Sequence, residues 1–419
     1  MDTSPESTRV WIAAHAPALL GTFDRLSAGL SEQPGHDVGF NLTRDDNADY
    51  AAEFLAAVSR GFSVRCSNPK WTPEQRAVVP SWSRDRGEGE PSCVEIPTGG
   101  TGGKIRFVRH DLPTLAAAVS GFSRYAGEQI LRTGVPAKLH AVQALPCCHV
   151  SGLMPVVRAW LTGGDLVFAD PSFRPESPLP PMPSSPDGLC VVSLVAAQLH
   201  RLLERPDGPA WLRTAGMVLV GGSSVAPELL ERARREKIPV GVSYGLTEAA
   251  ALAALHPPER FLRGEPVSGD VLPHLRAEIT PEGRVALSGG SIALDVRDAE
   301  GRYVTGDEGY LDAGGRLVVT GRADRIIVTG GEKVDPQLVE AAIRATGLVH
   351  EVYVTGEPDP EWGRVVTAYC YGDVSPATLR AALAGRLSPH MIPKKCKFFD
   401  RSLFDAKGKI DRTLVQPSP

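Results

Sequence analysis

Apolar and polar positions follow two alternating patterns between residues 190 and 244. Three runs rich in β-branched residues predict buried strands: CVVSLVA (190–196), MVLVGG (217–222) and IPVGVSY (238–244). Between them, AAQLHRLLE (196–204) and PELLERARREK (227–237) place apolar residues at helical spacing. Strands that alternate with helices are typical of a parallel sheet covered by helices. The pattern therefore predicts an α/β fold.

Other stretches have a different pattern. AAEFLAAVSRGF (51–62) has helical spacing and predicts a helix. PSFRPESPLPPMPSSP (171–186) has seven prolines in sixteen residues, so we expect an extended surface connection there. From residue 281 onward, short alternating strands are separated by glycine turns, and a two-stranded ribbon is expected around Ala313-Gly314-Gly315.

The pattern changes again after Arg322. RIIVTGGEKVDPQLVEAAIRA (325–345) predicts a strand, a glycine turn and a helix. Residues 325–419 carry a net charge of +2, whereas residues 1–324 carry −6. We therefore predict a domain boundary near 322–325, which divides the chain into 1–323 and 324–419.

Composition narrows the class of protein. With 419 residues, 42% of them hydrophobic and 22% charged, the chain is neither a disordered protein nor a small disulfide-stapled scaffold. A net charge of −4 argues against nucleic acid as the main partner. The polar N-terminus and the lack of long apolar runs predict neither a signal peptide nor a membrane span. Seven scattered cysteines without a C-x-x-C pair favour reduced thiols and a cytoplasmic protein.

The first candidate site is PTGGTGGKIRF (97–107), which has four glycines, two threonines and a lysine within seven positions. Glycines allow backbone N–H groups to surround phosphate oxygens, and Lys104 adds a positive charge. The spacing differs from the common P-loop, because position 98 is Thr and position 105 is Ile. A flexible glycine hairpin is the alternative.

The second candidate is SYGLTEAA (243–250), directly after a predicted strand, where ligands bind in parallel sheets. Tyr244 offers a ring to stack on a base, Thr247 a hydroxyl, and Glu248 a carboxylate for Mg²⁺. The alternative is the start of a helix, with Thr247 as its N-cap.

Two further candidates lie nearer the C-terminus. Asp307 follows Gly306 in a predicted tight turn and suits a ribose diol, while Arg322 and Asp324 sit at the predicted boundary. A surface ion pair would also explain Arg322 and Asp324. Lys409 stands in the basic segment DAKGKIDR (405–412), and a solvated lysine is the alternative there.

Taken in order, the four segments resemble the adenylate-forming superfamily of acyl- and aryl-CoA synthetases, adenylation domains and luciferases. TGGTGGK is similar to its phosphate loop, YGLTE to its aromatic-Gly-x-Thr-Glu motif, TGD and GRADRI to its ribose and hinge motifs, and GKIDR to its C-terminal lysine motif. The phosphate loop is about two residues shorter than the usual form and lacks the proline before the lysine. The resemblance covers residues 90 to 415 approximately. It implies a large N-terminal domain of parallel and mixed sheets flanked by helices, and a small mobile α+β C-terminal domain.

A narrower resemblance is to the o-succinylbenzoate–CoA ligases of menaquinone and phylloquinone synthesis. It rests on TGGTGGKIRFVRH, LPCCHVSGLMPVVRAWLTGGDLVF, SLVAAQLHRLL and VLVGGSSVAPELLERAR. HVSG, with Arg158 seven residues beyond Ser151, is similar to the acyl-site helix of these ligases, so His149, Ser151, Gly152 and Arg158 are candidates for the acyl site. Packing at a helix start is the alternative for His149, and a surface helix position is the alternative for Arg158. Cys147 and Cys148 are expected in the core rather than as nucleophiles.

The resemblance implies ATP, Mg²⁺ and CoA as the molecules bound with an aromatic carboxylate. The β- and γ-phosphates are expected at Thr98, Gly99, Gly100, Thr101, Gly102, Gly103 and Lys104. Adenine is expected at Gly221, Gly222, Ser223, Tyr244 and Gly245, and the ribose at Asp307 and Arg322. Thr247 would bind the α-phosphate, Glu248 Mg²⁺, and Lys409 the reacting carboxylate and phosphate. Asp324 would be the hinge, and Gly330, Gly331 and Glu332 would line the CoA tunnel.

Several alternatives remain open at this point. They are another aryl- or acyl-CoA ligase, an adenylating enzyme that loads a carrier protein, and an inactive adenylation fold used as a binding protein. No nucleic acid and no membrane span are expected, and the sequence leaves open whether the chain forms a homo-oligomer.

Overall fold

Short strands and amphipathic helices alternate in the computed structural model, as the sequence predicts for residues 190–244. The model describes residues 2–31, 40–69, 71, 76–77, 79, 92–99, 105–222, 225, 227–322, 325, 327–329, 332–359, 362–404, 410–411 and 414–415. The chain divides into two compact units. Unit 1 comprises Met1–Glu278, Ala286–Val304 and Leu311–Val318, and unit 2 comprises Ile279–Val285, Thr305–Tyr310 and Val319–Pro419. The boundary at 323/324 stays a prediction, and Asp324 lies outside the described residues.

A seven-stranded sheet forms the centre of unit 1, in the order β11-β10-β9-β8-β7-β5-β6. Its strands are β5 (Lys138–Gln143), β6 (Leu166–Phe168), β7 (Gly188–Leu194), β8 (Met217–Val220), β9 (Val240–Leu246), β10 (Ala251–His256) and β11 (Asp270–Val271). The strands from β5 to β9 pair in parallel, whereas β10 pairs antiparallel to β9 and β11 antiparallel to β10. The predicted α/β sheet is therefore confirmed, with a mixed edge.

Helices cover this sheet and the N-terminal part of unit 1. They are α1 (Pro5–His15), α2 (Leu20–Ser31), α3 (Asn47–Val58), α4 (Leu112–Tyr125), α5 (Val150–Thr162), α6 (Ala196–Glu204), α7 (Gly208–Arg213), α8 (Pro227–Arg235) and α9 (Pro258–Leu262). The predicted helix at 51–62 exists, but its predicted end was wrong. Helix α3 ends at Val58, because Gly61 adopts a φ of +77° and the N–H of Phe62 donates to the carbonyl of Ala57.

The predicted proline-rich connection is confirmed as a segment without helix or strand between β6 and β7. Proline-rich backbone leaves its carbonyl groups without ladder partners, so other groups must satisfy them. The buried Arg205 donates to the carbonyls of Arg174 and Ser177, and the Trp211 indole donates to that of Pro180 at 2.7 Å. These side chains fix the connection on the protein.

Two smaller sheets accompany the central one. The first, in the order β1-β2-β3-β4, consists of β1 (Phe40–Leu42), β2 (Val64–Cys66), β3 (Val94–Gly99) and β4 (Ile105–His110). The second, in the order β12-β13-β14-β15, consists of β12 (Leu275–Ile279), β13 (Arg284–Gly289), β14 (Arg302–Leu311) and β15 (Leu317–Arg322). Strands β14 and β15 are neighbours on either side of Ala313–Gly315, so the predicted ribbon is confirmed.

The rest of unit 2 is an α+β arrangement with its own core. Strands β16 (Ile327–Thr329) and β17 (Glu332–Val334) form a hairpin, and β18 (Glu351–Asp359), β19 (Gly363–Tyr371) and β20 (Lys395–Phe399) form a three-stranded sheet. Helices α10 (Pro336–Arg344) and α11 (Pro376–Leu383) contribute Val339, Ile343, Leu379 and Leu383 to one apolar cluster with that sheet. The strand and the helix predicted for 325–345 correspond to β16 and α10, whereas Gly330 and Gly331 of the predicted turn lie outside the described residues. Strand β17 was not predicted.

Two expectations from composition can be checked directly. All seven cysteines are free thiols, as predicted, and six of them are buried. None of the helices in the described residues is long and apolar enough to cross a membrane.

Candidate active site

Predicted adenine-binding residues meet at the carboxyl edge of the parallel sheet. Gly221 and Gly222 directly follow β8, and Tyr244 lies near the end of the neighbouring strand β9. A Cβ atom at Gly221 would lie 2.1 Å from the Ser243 hydroxyl, which donates to the carbonyl of Val220. Gly222 has a φ of +82°, a conformation that favours glycine. This edge is where open α/β sheets bind ligands, and Ser223 lies outside the described residues.

Thr247 and Glu248 form a 3-10 turn (Thr247–Ala249) between β9 and β10. The alternative of a helix start with Thr247 as its N-cap is wrong, since Leu246 occupies the N-cap position of this single turn and strand β10 follows it. Ala250 and Ala251 then have φ values of +54° and +78°, which are costly for residues with a Cβ. Gly245 is required as well, because a Cβ there would lie 2.0 Å from the carbonyl oxygen of Ala251. The surrounding fold holds this turn in a strained conformation.

His110 supports the turn and was missed by the sequence reasoning. Its Nε2–H donates to the carbonyl of Thr247 at 2.8 Å, and its Nδ1 lies 3.2 Å from the Thr114 hydroxyl. The ring is fully buried, and burial lowers its pKa, so it is a neutral donor. A hint exists in the sequence, because Asp111 and Thr114 form a capping box that begins α4 next to this histidine.

The carboxylate of Glu248 fits a role in holding Mg²⁺. Its backbone is fixed, because the carbonyl of Glu248 accepts the N–H of Ala293 at 2.8 Å. Its side chain is half-buried and forms no ion pair within the part of the chain that the structure describes. That part also contains no group of three or more His, Cys, Asp or Glu side chains able to hold a metal. One carboxylate suits Mg²⁺, which keeps several waters and shares phosphate oxygens.

The glycine-rich loop leaves the end of a hairpin. Strands β3 and β4 pair antiparallel up to Gly99 and Ile105, and Thr98 lies opposite Arg106. Strand β3 also packs against the turn that carries Thr247 and Glu248. The ends of the loop are thus beside the turn, and both the hairpin alternative and a phosphate role fit this placement. Five predicted loop residues lie outside the described residues: Gly100, Thr101, Gly102, Gly103 and Lys104.

The predicted acyl-site helix is α5. His149 occupies its N-cap position and is half-buried, whereas Ser151 is exposed. Gly152 is needed for packing, since a Cβ there would lie 2.2 Å from the carbonyl oxygen of Pro146. Arg158 is only 5% exposed, so the alternative of a surface position is wrong. Burial lowers its pKa to about 10, and its guanidinium lies 5.0 Å from the centre of the Phe122 ring.

Cys147 and Cys148 are core residues, as expected. Both are almost fully buried in one apolar cluster with α3 and α5. Burial raises the pKa of the Cys147 thiol, which makes it a poor nucleophile.

Asp307 and Arg322 lie together in unit 2. The Arg322 Nη1 is 3.6 Å from the Asp307 Oδ1, and a Cβ at Gly306 would lie 2.7 Å from the Arg322 Nη2. The predicted tight turn at Gly306 and Asp307 is wrong, because both residues lie within strand β14. Arg322, on the neighbouring strand β15, lies over Gly306 and pairs with Asp307. Asp307 is 9% exposed, and its N–H donates to the Thr305 hydroxyl at 3.0 Å. A buried carboxylate beside a guanidinium can bind vicinal hydroxyls.

The remaining predicted residues fall beyond what the structure describes. Asp324, Gly330, Gly331 and Lys409 lie outside the described residues, as does the side chain of Glu332. Glu332 itself begins β17, opposite Thr329. Phe404 and Ile410 pair on either side of the segment that contains Lys409.

A pocket of about 310 Å³ is lined by Pro273, His274, Leu275, Arg276, Ser288 and Gly289. None of the predicted site residues lines it. The chemistry assembled in unit 1 is instead a strained turn that carries a hydroxyl and a carboxylate. This turn lies beside strand β3, and Gly221 and Gly222 directly follow the neighbouring strand β8.

Comparisons with known proteins show the family and the fold of this chain. The model of the AMP-binding enzyme family matches residues 66–323, and the model of its C-terminal domain matches residues 338–409. A 2-succinylbenzoate–CoA ligase of Listeria monocytogenes serotype 4b (strain F2365) is 31% identical over 298 residues, which cover 68% of this chain and 63% of that protein. An indoleacetate–CoA ligase of Aromatoleum aromaticum is 28% identical over 297 residues, 65% of this chain and 58% of that protein. The chain thus spans less than two thirds of these relatives.

The same fold occurs in a solved structure. The o-succinylbenzoate CoA synthetase from Bacillus subtilis, in complex with the acyl-adenylate intermediate OSB-AMP, superposes with a TM-score of 0.74 at 22% identity. The superposition covers 96% of this chain and 93% of that one. Since the family model alone spans more than half of the residues, the chain belongs to the AMP-binding enzyme family.

Proposed function

We propose that this chain joins a carboxylic acid to CoA at the expense of ATP, through an acyl-adenylate. The observation that carries the proposal is the strained Thr247–Glu248 turn, held by His110 at the sheet edge beside the glycine-rich connection. Such a turn offers a hydroxyl and a carboxylate where a nucleotide phosphate can lie. Membership of the AMP-binding family and relatives named as CoA ligases support the same reaction.

In the first half-reaction, a carboxylate oxygen attacks the α-phosphorus of ATP and pyrophosphate leaves. Both reactants are anions, so the protein must neutralise charge and hold the attack in line. Thr247 holds the α-phosphate and Lys409 contacts the carboxylate and the phosphate. The loop from Thr98 to Lys104 holds the β- and γ-phosphates.

Nucleoside binding uses three further parts of the chain. The backbone of Gly221, Gly222 and Ser223 borders the adenine, with Tyr244 stacked on it and Gly245 allowing close approach. Asp307 accepts hydrogen bonds from the ribose hydroxyls, and Arg322 sets the orientation of that carboxylate. Glu248 would hold Mg²⁺, and the bound ion would supply charge neutralisation for the phosphates.

In the second half-reaction, the CoA thiolate attacks the acyl-adenylate carbonyl and AMP leaves. We assign Asp324 as the hinge about which the C-terminal domain turns, so that Lys409 leaves the reacting atoms. Gly330, Gly331 and Glu332 then line the path of the pantetheine arm.

The proposed acid is o-succinylbenzoate, an aromatic dicarboxylate, and the proposed location is the cytoplasm. The names of the relatives support this acid, and so does a buried cation, Arg158, on the helix that His149, Ser151 and Gly152 begin. One carboxylate reacts and the other needs a charged partner. An arylacetate such as indoleacetate is the second candidate, because a relative of 28% identity bears that name.

The test is release of AMP and pyrophosphate with ATP, Mg²⁺ and CoA, with o-succinylbenzoate, indoleacetate, benzoate and medium-chain fatty acids compared. CoA-dependent turnover of o-succinylbenzoate alone would support the proposal in full. Turnover of another acid would support the proposed reaction but show that o-succinylbenzoate is not the substrate. Pyrophosphate release without a CoA-dependent product would point to a carrier protein as the acyl acceptor. No turnover with any acid would refute the proposed ligase activity.

A further inference from the structure

The connection between β13 and β14 lies along the edge of β4. Strand β4 is the last in the order of its sheet, so within the described residues β3 pairs with it on one side only. On the other side, the carbonyl of Arg109 accepts the N–H of Leu294 at 2.8 Å, and the N–H of Arg109 donates to the Asp295 Oδ1 at 3.0 Å. A neighbouring strand would supply both bonds from its backbone, whereas here a carboxylate supplies one of them. We refer to residues 292–297 as the strap.

The strap also holds the turn that carries Thr247 and Glu248. The N–H of Ala293 donates to the carbonyl of Glu248 at 2.8 Å, while His110 donates to the carbonyl of Thr247 at 2.8 Å. Two successive carbonyls of the turn are therefore fixed from outside it, one by the strap and one by β4. Since His110 follows Arg109 in β4, the strap, β4 and the turn form a closed ring of hydrogen bonds. A turn that leads into two strained residues needs such support from its surroundings.

Arg297 closes the strap on itself. Its guanidinium donates to the carbonyl of Ile292 from Nε at 3.1 Å and from Nη2 at 2.6 Å. Ile292 and Ala293 are fully buried, whereas Asp295 is exposed. Asp295 is thus the residue of the strap whose side chain forms a bond to β4 and can be replaced without opening a cavity in the core.

We propose that Asp295 is a positioning residue for the Thr247–Glu248 turn. Its carboxylate keeps the strap in register with Arg109, and the strap in turn holds the carbonyl of Glu248. Asp295 does not bind ATP or the acid, but it fixes the backbone of the residue that is proposed to hold Mg²⁺. This inference rests on the proposed ligase function, because that function gives the turn its role in adenylation. It assigns control of the Mg²⁺ requirement to a residue outside the four sequence motifs.

The first test compares two replacements of Asp295 in both half-reactions. Asp295→Leu removes the acceptor for the Arg109 N–H, so adenylate formation should fall about tenfold and the Mg²⁺ concentration that gives half of the maximal rate should rise about threefold. Asp295→Asn keeps an acceptor oxygen and should stay within about threefold of the wild type. Thioester formation from supplied acyl-adenylate should change less than about twofold in both variants, because Mg²⁺ takes no part in that proposed step.

Asp45→Leu, which replaces an exposed carboxylate elsewhere in unit 1, is the matched control and should leave both half-reactions unchanged. Equal losses in the two half-reactions of Asp295→Leu would overturn the inference. Equal losses in Asp295→Leu and Asp295→Asn would overturn it as well, and so would a Leu variant that behaves like the Asp45 control.

The second test needs no catalysis. Amide hydrogen exchange of the full chain, without ligands, is followed by NMR for Ala293 and Leu294 in the strap and for the central strand β7. In Asp295→Leu the two strap amides should exchange about tenfold faster or more, and those of β7 should be unchanged. Unchanged strap amides would overturn the inference, and so would strap and β7 amides that accelerate together, because the effect would then be global. If the wild type released no AMP with any acid, the ligase proposal would fail, and the exchange rates would still decide whether Asp295 holds the strap.

Discussion

The Nε2–H of His110 donates a 2.8 Å hydrogen bond to the backbone carbonyl of Thr247. This bond connects His110, the last residue of β4, to the turn that contains Thr247 and Glu248. Two alanines with positive φ, Ala250 and Ala251, follow that turn. Because the donor is a fully buried, neutral ring, the bond does not depend on pH near neutrality. The ring therefore acts as a positioning residue for the predicted phosphate-binding hydroxyl and metal-binding carboxylate.

Replacing His110 should disturb the turn without touching ATP. His110→Leu removes the donor and leaves the Thr247 carbonyl unpaired, a loss of about 1–3 kcal/mol. We expect adenylate formation to fall at least tenfold and the KM for ATP to rise. Pyrophosphate release at varied ATP concentrations measures both.

The conservative variant supplies the control for that experiment. His110→Gln can place an amide N–H where Nε2 lies, so it should recover most of the lost activity. If Leu and Gln behave alike while both proteins unfold at the same temperature, the bond has no role in positioning the turn.

Glu248→Gln should shift the requirement for Mg²⁺. The amide has the same size but no charge, and Mg²⁺ prefers carboxylate oxygen. The concentration of Mg²⁺ that gives half-maximal adenylation should rise at least tenfold, while kcat at saturating Mg²⁺ falls less. Glu128→Gln, an exposed carboxylate elsewhere in unit 1, is the matched control. An unchanged Mg²⁺ dependence would remove Glu248 from the metal site.

The hydrophobic pattern predicted the central sheet, because apolar positions indicate which residues of a short segment are buried. The β-branched run at 190–196 became β7, and the 196–204 segment, with apolar residues at helical spacing, became α6. The end of α3 was misplaced, because it depends on the φ of Gly61 and a hydrogen bond between Phe62 and Ala57 rather than on apolar spacing. Periodicity identifies elements better than it locates their ends.

The YGLTE motif identified the segment around Thr247 as a candidate site, but the sequence could not show which residue supports that segment. His110 is 137 positions away in sequence, and a single buried histidine has no distinguishing pattern. The burial of Arg158 escaped detection for a similar reason, since its position next to Phe122 and His274 depends on three separate elements. Contacts between side chains that are far apart in sequence can be identified only when the fold is known.

Lys409→Ala should separate the two half-reactions. Loss of the lysine removes charge neutralisation from the attack on ATP, so adenylate formation should fall by orders of magnitude. Thioester formation from supplied acyl-adenylate should stay within about threefold, because the proposed mechanism removes Lys409 from the reacting atoms in that step. Lys407→Ala tests whether any nearby positive charge suffices. Equal losses in both half-reactions would contradict the assignment of Lys409.

Gly245→Ala should destabilise unit 1. The new Cβ would lie 2.0 Å from the carbonyl oxygen of Ala251, so β9 and β10 would have to separate. Such overpacking costs about 1–3 kcal/mol. Gly29→Ala on α2 meets no atom within 4 Å and should be neutral or stabilising. Urea unfolding measures both, and equal free energies of unfolding for the two variants would disprove the close contact.

His274 should make unfolding depend on pH in a defined direction. Its pKa is lowered from 6.5 to about 4 in the folded protein, chiefly by burial. The unfolded chain therefore takes up this proton first, and stability falls as the pH drops from about 6.5 towards 4. Between pH 7.5 and 5 the group alone should cost about 2 kcal/mol, an upper value for a ring that is partly exposed. His274→Phe should reduce the difference in free energy of unfolding between those two pH values, whatever its effect at either one. His200→Phe, which replaces an exposed histidine, should leave the difference unchanged. If both variants keep the wild-type difference, the His274 ring titrates normally and is not buried beside Arg158 in solution.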